Sequence, residues 1–199
     1  MLTKAQILQP LVRLRTDEAV VTTMSVVRPW GRYSNSELDF ASADSAMGHA
    51  ADLALGIALA QPHRNVICLN GDGSMLMSLG TLATIIASGA RNLVLFVIDN
   101  AAYEITGSQP TPGAGVLDFT AMARAAGFRR AYRFDDAEAY AAALPDLLRG
   151  DGPVFACLRV APGDEGPISR KPAEEARYLK TSLADWARTL RTALLRENP

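Results

Sequence analysis

The sequence predicts a three-layer α/β/α domain built on a mainly parallel central sheet. Two unbroken apolar runs, Val66-Ile67-Cys68-Leu69 and Leu93-Val94-Leu95-Phe96-Val97-Ile98, lack the alternation of a half-exposed strand and suit strands buried on both faces of a parallel sheet. Segments with helical apolar spacing stand between such runs along the chain, which is the order that parallel crossovers require. At 199 residues the chain fits a single domain, 1–199, able to bury roughly 70% of the surface of its extended form without covalent staples.

The elements follow in order. Ile7, Leu8, Leu11, Val12 and Leu14 recur at helical spacing and predict a helix over 4–14, followed by a strand over 19–24. Pro29, Gly31 and several polar residues mark 28–37 as a loop, leading to a short extended segment at 38–41. Ala50, Leu53, Ala54, Ile57 and Ala58 form one stripe of a small-residue helix over 48–60, which ends at Gln61-Pro62 because proline cannot continue helical hydrogen bonding. The strand 66–69, an apolar helix over 76–88 closed by Gly89, and the strand 93–98 come next. Helices are expected at 119–126 and 137–148, with strands at 130–133 and 153–160. Residues 162–172 form a Pro/Gly-punctuated, charged connection. Beyond it, 173–199 holds a C-terminal helix over 173–195 with Leu179, Leu183, Trp186, Leu190 and Leu194 on one stripe, suited to packing on its own domain or across a subunit interface.

Composition narrows the function. The net charge is -1 and like charges are not blocked together, so neither nucleic acid nor an anionic membrane is an expected partner. Cys68 and Cys157 lie in apolar strands and read as small buried hydrophobes, and two cysteines are too few for an iron–sulfur cluster. No apolar stretch has the length of a membrane span, and the N-terminus lacks a signal-peptide profile, so the cytoplasm is the expected location.

The most informative motif is Gly71-Asp72-Gly73-Ser74, which follows one buried strand, together with Asp99-Asn100, which closes the next. Parallel sheets place ligands outside the carboxyl ends of their strands, and both halves of the motif fall there. Asp72 offers a hard anionic oxygen and Asn100 a neutral carbonyl oxygen, a set that suits Mg²⁺ still accepting phosphate oxygens. Gly71 and Gly73 would let the backbone approach a ligand, Ser74 would add a hydroxyl, and the following helix would point free N–H groups at a phosphate. Neither a dinucleotide fingerprint nor a P-loop is present.

Asp72 and Asn100, with the Asp99-Asn100-Ala101-Ala102-Tyr103 and Thr106-Gly107-Ser108-Gln109 stretches, resemble the motif of thiamine-diphosphate-dependent enzymes, which opens on GDG and closes on NN or DN. The resemblance spans residues 20–160 and is to their pyrophosphate-binding domain, with the separate beta subunit of sulfopyruvate decarboxylase and the matching domain of phosphonopyruvate decarboxylase nearest in pattern. It implies thiamine diphosphate and Mg²⁺ as cofactors, with Asp72, Asn100 and the Ala102 carbonyl as metal ligands. It further implies Ser45, Met47, Gly71, Gly73, Ser74, Ala102 and Ile105 as cofactor contacts, since Ser45-Ala46-Met47-Gly48 is similar to the segment whose large apolar residue props the cofactor in a bent shape.

The implied function is the cofactor-anchoring subunit of a 2-oxo acid decarboxylase. Such enzymes use a second α/β domain, of the PYR type, whose glutamate activates the cofactor; this chain has no room for it, so a partner subunit is expected in a heterodimer or α₂β₂ assembly, with a homodimer possible for the isolated chain. A carboligase of the acetolactate-synthase type and a noncatalytic cofactor-binding scaffold are the alternatives. Glu104 is a candidate for proton transfer or a solvated or interface carboxylate, and His49 a candidate catalytic group or a local helix-start residue. Arg28 and Arg32 are candidates to meet a substrate anion or ordinary surface residues, and His63 reads as an exposed turn residue.

Overall fold

The computed structural model describes residues 1–41, 47–163, 165 and 181–196. Its centre is a six-stranded sheet in which every neighbouring pair is parallel. In chain order the strands of that sheet are β1 (Ala19–Thr22), β2 (Asp39–Ala41), β3 (Val66–Gly71), β4 (Leu93–Asp99), β7 (Arg130–Phe134) and β8 (Val154–Arg159). Their order across the sheet is β2-β1-β3-β4-β8-β7. A two-stranded hairpin, β5 (Ala102–Tyr103) with β6 (Gln109–Pro110), stands apart from it.

The period-2 geometry of a strand sorts the apolar runs onto two faces. Val66, Cys68, Leu93, Leu95, Val97, Phe155 and Cys157 join one core, covered by α3 (Ala50–Ala60), α5 (Thr81–Ser88), α6 (Phe119–Ala126) and α8 (Leu183–Leu194). Ile67, Leu69, Val94, Phe96, Ile98, Val154, Ala156 and Leu158 join the other, covered by α1 (Lys4–Leu14), α2 (Val27–Tyr33) and α7 (Ala137–Arg149). Tyr140 of α7 donates its hydroxyl to the Ile7 carbonyl of α1 at 3.1 Å, giving the one polar atom of that fully buried ring a partner. The three-layer α/β/α architecture is therefore the one the apolar runs predict.

Helix α1 begins where expected because Thr3 and Gln6 form a reciprocal capping box. Asp118 and Asp136 are one-way N-caps of α6 and α7, each accepting from a backbone N–H three residues on. The loop expected over 28–37 is instead helical as far as Tyr33: Pro29 falls in the first turn of α2, where its missing N–H would have had no helical acceptor. The helix expected from residue 48 begins at Ala50, since Gly48 takes φ +82, a left-handed conformation outside the helix. The single helix expected over 76–88 is two, α4 (Asp72–Met77) and α5, broken around Ser78–Gly80. The Gly48 turn packs onto that break: a Cβ on Gly48 would lie 2.9 Å from Met77 Cβ and 3.1 Å from Ser78 Oγ.

Trp186 and Leu190 of α8 enter the core beside β2, so the described part of the C-terminal helix packs on its own domain. Most of the 162–172 connection and the first part of the 173–195 helix, with Leu179, lie outside the described residues.

Candidate functional site

Strands β3 and β4 are neighbours, with Gly71 opposite Ile98 at their carboxyl ends. Asp72 is the first residue of α4, with Gly71 as its N-cap, and the residue is 2% exposed. Thr111 Oγ1, just beyond β6, donates to it at 3.2 Å. Burial lifts the Asp72 carboxyl from its ordinary 3.8 to about 6, and the nearby Asp99 charge adds to the rise; hydrogen bonds from the Gly73 and Ala101 backbones and from Thr111 act against it. The Ala101 contact brings the loop after β4 directly onto Asp72.

That loop has its own internal order. Asn100 is buried, with Nδ2 donating to Glu104 Oε2 at 2.6 Å and Oδ1 accepting from Ala102 N at 3.1 Å. Between them Ala101 holds φ +59, which costs an alanine steric strain and is sustained by its surroundings. Ala102 pairs in register with Pro110, and the backbone hydrogen bond beside that pair runs from Thr111 N to the Ala101 carbonyl at 3.1 Å. Among the described residues no three His, Cys, Asp or Glu side chains converge as a metal site. A cation here would rest on one carboxylate, one carboxamide and a backbone carbonyl, a donor set that fits a hard ion completing its shell with water or phosphate oxygens.

Beside this loop lies a cleft of about 330 Å³, within the range of small-molecule sites. Met47, Gly71, Asp72, Gly73, Ser74, Ala102, Glu104 and Ile105 all line it, as do Met24 and Tyr103. Most of the sequence-predicted positions thus come together on one surface. Ser45 lies outside the described residues. Met47, 46% exposed, stands on the wall, and its neighbour Gly48 donates its N–H to Ser74 Oγ at 3.0 Å, joining the two motif segments. The two motif glycines differ. A Cβ on Gly71 would meet nothing within 4 Å, so the packing leaves that space to the cleft. A Cβ on Gly73 would overlap the Tyr103 ring, 2.7 Å from Cδ1, so the missing side chain makes room for that ring.

Other candidates stand elsewhere. The His49 side chain is 68% exposed, outside the cleft lining, with Nδ1 2.8 Å from Asp52 Oδ2. Glu104, although it lines the cleft, is buried rather than solvated: Lys4 Nζ lies 2.8 Å from both of its oxygens. Arg28 donates to the Glu165 carbonyl at 2.6 Å, and Arg32 makes a two-pronged contact with the Glu165 carboxylate at 2.9 and 3.1 Å. The sequence reading passed over Met24, Ser25, Thr111 and Lys4. Only Met24 carries a special backbone, φ +48, and nothing in the sequence around it signals that; the other three are placed by tertiary packing.

A family model described as "Thiamine pyrophosphate enzyme, C-terminal TPP binding domain" matches residues 22–156, more than half of the chain. The chain belongs to this family. Phosphonopyruvate decarboxylase of Streptomyces viridochromogenes is 41% identical over 138 residues, covering 68% of this chain and 34% of that protein. Sulfopyruvate decarboxylase subunit beta of Methanothermobacter thermautotrophicus is also 41% identical over 138 residues, covering 68% of this chain and 71% of that one. The chain thus spans about a third of the phosphonopyruvate decarboxylase and most of the separate subunit. Among solved structures, the thiamine diphosphate-dependent 4-hydroxybenzoylformate decarboxylase of Rhodococcus jostii RHA1 superposes with a TM-score of 0.70 at 23% identity, over 82% of this chain and 33% of that one; it shows the shared fold. No helix among the described residues is long and apolar enough to cross a membrane.

Proposed function

We propose that this chain is the thiamine-diphosphate- and Mg²⁺-anchoring subunit of a 2-oxo acid decarboxylase acting on a substrate of the sulfopyruvate or phosphonopyruvate kind. The observation that carries the reading is the meeting of Asp72 with the 100–102 loop at the ends of two adjacent parallel strands, on the wall of a mostly apolar cleft. The named subunit beta, covered over 71% of its length, supports a two-subunit arrangement.

Asp72, Asn100 and the Ala102 carbonyl would hold the cation. Gly71 leaves room for the diphosphate, and Ser74, already accepting from Gly48, holds the Met47 turn against the same wall. Met47, Met24 and Ile105 would shape the cofactor and keep water from the reacting carbon. Thiamine diphosphate, when bound, supplies a carbon nucleophile and the electron sink for the pair left behind by CO₂. No Arg or Lys among the described residues lines the cleft, and the activating glutamate would come from the partner.

The test is calorimetry of thiamine diphosphate binding with and without Mg²⁺. Asp72→Ala should abolish the Mg²⁺-dependent binding while the α/β circular dichroism signature is retained; unchanged affinity would end the assignment. Measuring CO₂ release with and without an acceptor aldehyde then separates decarboxylase from carboligase.

A further inference from the structure

Behind the 100–102 loop lies a buried ion pair that the reading above does not use. Lys4, the first residue of α1, places Nζ 2.8 Å from Glu104, with side chains 9% and 1% exposed. Backbone pairing of Leu2 with Val160 sets this end of α1 beside the carboxyl ends of the strands. Glu104 Oε1 also accepts from Glu165 N at 3.0 Å. Gly163 closes over the pair, where a Cβ would lie 2.8 Å from Glu104 Oε1 and 3.3 Å from Lys4 Nζ. Removing two charges from water is expensive, and an apolar pair of similar volume would often hold two elements together as well or better. What an apolar pair cannot do is accept a hydrogen bond from Asn100.

The Asn100 carboxamide is held at both ends, Nδ2 on Glu104 Oε2 and Oδ1 on the Ala102 N–H. Turning it over would set Oδ1 against a carboxylate and the NH₂ group against another N–H, replacing two hydrogen bonds by two repulsions. The carboxamide therefore has a single orientation, and its oxygen keeps one lone pair beyond the Ala102 contact. We propose that Glu104, held by Lys4, is a positioning residue that locks the Asn100 carboxamide with its oxygen presented to the cation. The proposal rests on the metal-anchoring reading above and adds residues that hold a ligand in place rather than ligate the cation.

The full chain tests it, using Mg²⁺ in the presence of thiamine diphosphate as the probe. Lys4→Met with Glu104→Leu replaces the ion pair by an apolar one and takes away the Asn100 acceptor; it should keep a near-native melting temperature yet weaken Mg²⁺ about tenfold or more. Glu104→Gln keeps a carbonyl acceptor for Asn100 Nδ2 and should stay within about threefold of wild type. Native Mg²⁺ affinity in the folded double variant would overturn the proposal, because the pair would then only join elements. In ¹⁵N-labelled wild-type protein the Asn100 side-chain amide protons should exchange slowly; fast exchange would overturn it without any variant. A wild-type chain with a slow Asn100 amide but no Mg²⁺-dependent cofactor binding would instead overturn the anchoring function, whereas loss of binding in Asp72→Ala but not in the double variant overturns the clamp alone.

Discussion

Gly71 and Gly73 flank Asp72 in the sequence, yet the structure gives them different surroundings. Gly71→Ala adds a methyl group to open space and should leave stability within about 1 kcal/mol while weakening diphosphate binding. Gly73→Ala drives a methyl into the Tyr103 ring and should cost about 1–3 kcal/mol in denaturant melts. Asp72 itself makes a pH prediction. Its carboxyl titrates near 6 in the fold against an ordinary 3.8, so between those values the folded state holds a proton that the unfolded state has lost. Stability of the metal-free chain should accordingly fall as pH rises from about 4 to 6 and level off above, by an amount on the order of 3 kcal/mol, and Asp72→Asn should lack this component. Melts of both proteins in chelator across that range measure it as a difference. Asp72 and Asn100 were legible in the sequence because each follows an unmistakable buried strand. The ion pair that holds Glu104 was not: its partner Lys4 is 100 residues away, and a contact of that separation leaves no local pattern.

Strands β3, β4 and β8 lie inside the sheet, and their apolar runs gave them away. The thiols they carry should be inert. Burial pushes the Cys68 thiol far above its normal range, and burial with the Asp99 charge pushes Cys157 up to about 12. Neither should react with a thiol reagent at neutral pH until the sheet unfolds, so the labelling rate should track global unfolding. Helices were less legible where a tertiary contact decided them. The α4–α5 break receives the Gly48 turn, an event between segments far apart in the chain. The β5–β6 hairpin has two-residue strands, too short for an alternation to register. Helix α2 was hidden by Pro29 and Gly31, which signal a loop unless the proline falls in a first turn.

At the scale of the molecule, the cleft is open on one side and its rim carries exposed apolar side chains, Met47 and Met77, 46% and 52% exposed. Under the proposed two-subunit arrangement a partner domain covers that rim and completes the site. Peroxide footprinting should then show Met47 and Met77 protected on complex formation, while Met75, fully buried, resists oxidation with or without the partner. Equal oxidation of the two rim methionines in the free chain and the complex would place the partner elsewhere.

The sequence by itself determined the α/β/α fold, the buried parallel strands and the two ends of the candidate site, because each is written in a short run of residues whose periodicity or chemistry is local. The tertiary structure alone decided which glycine faces open space in the cleft and which faces Tyr103, that His49 points to solvent beside Asp52, and that Glu104 is tied to Lys4 and Asn100. Those outcomes depend on which distant segments arrive at the same place, and burial and hydrogen-bond partners are properties of that arrival.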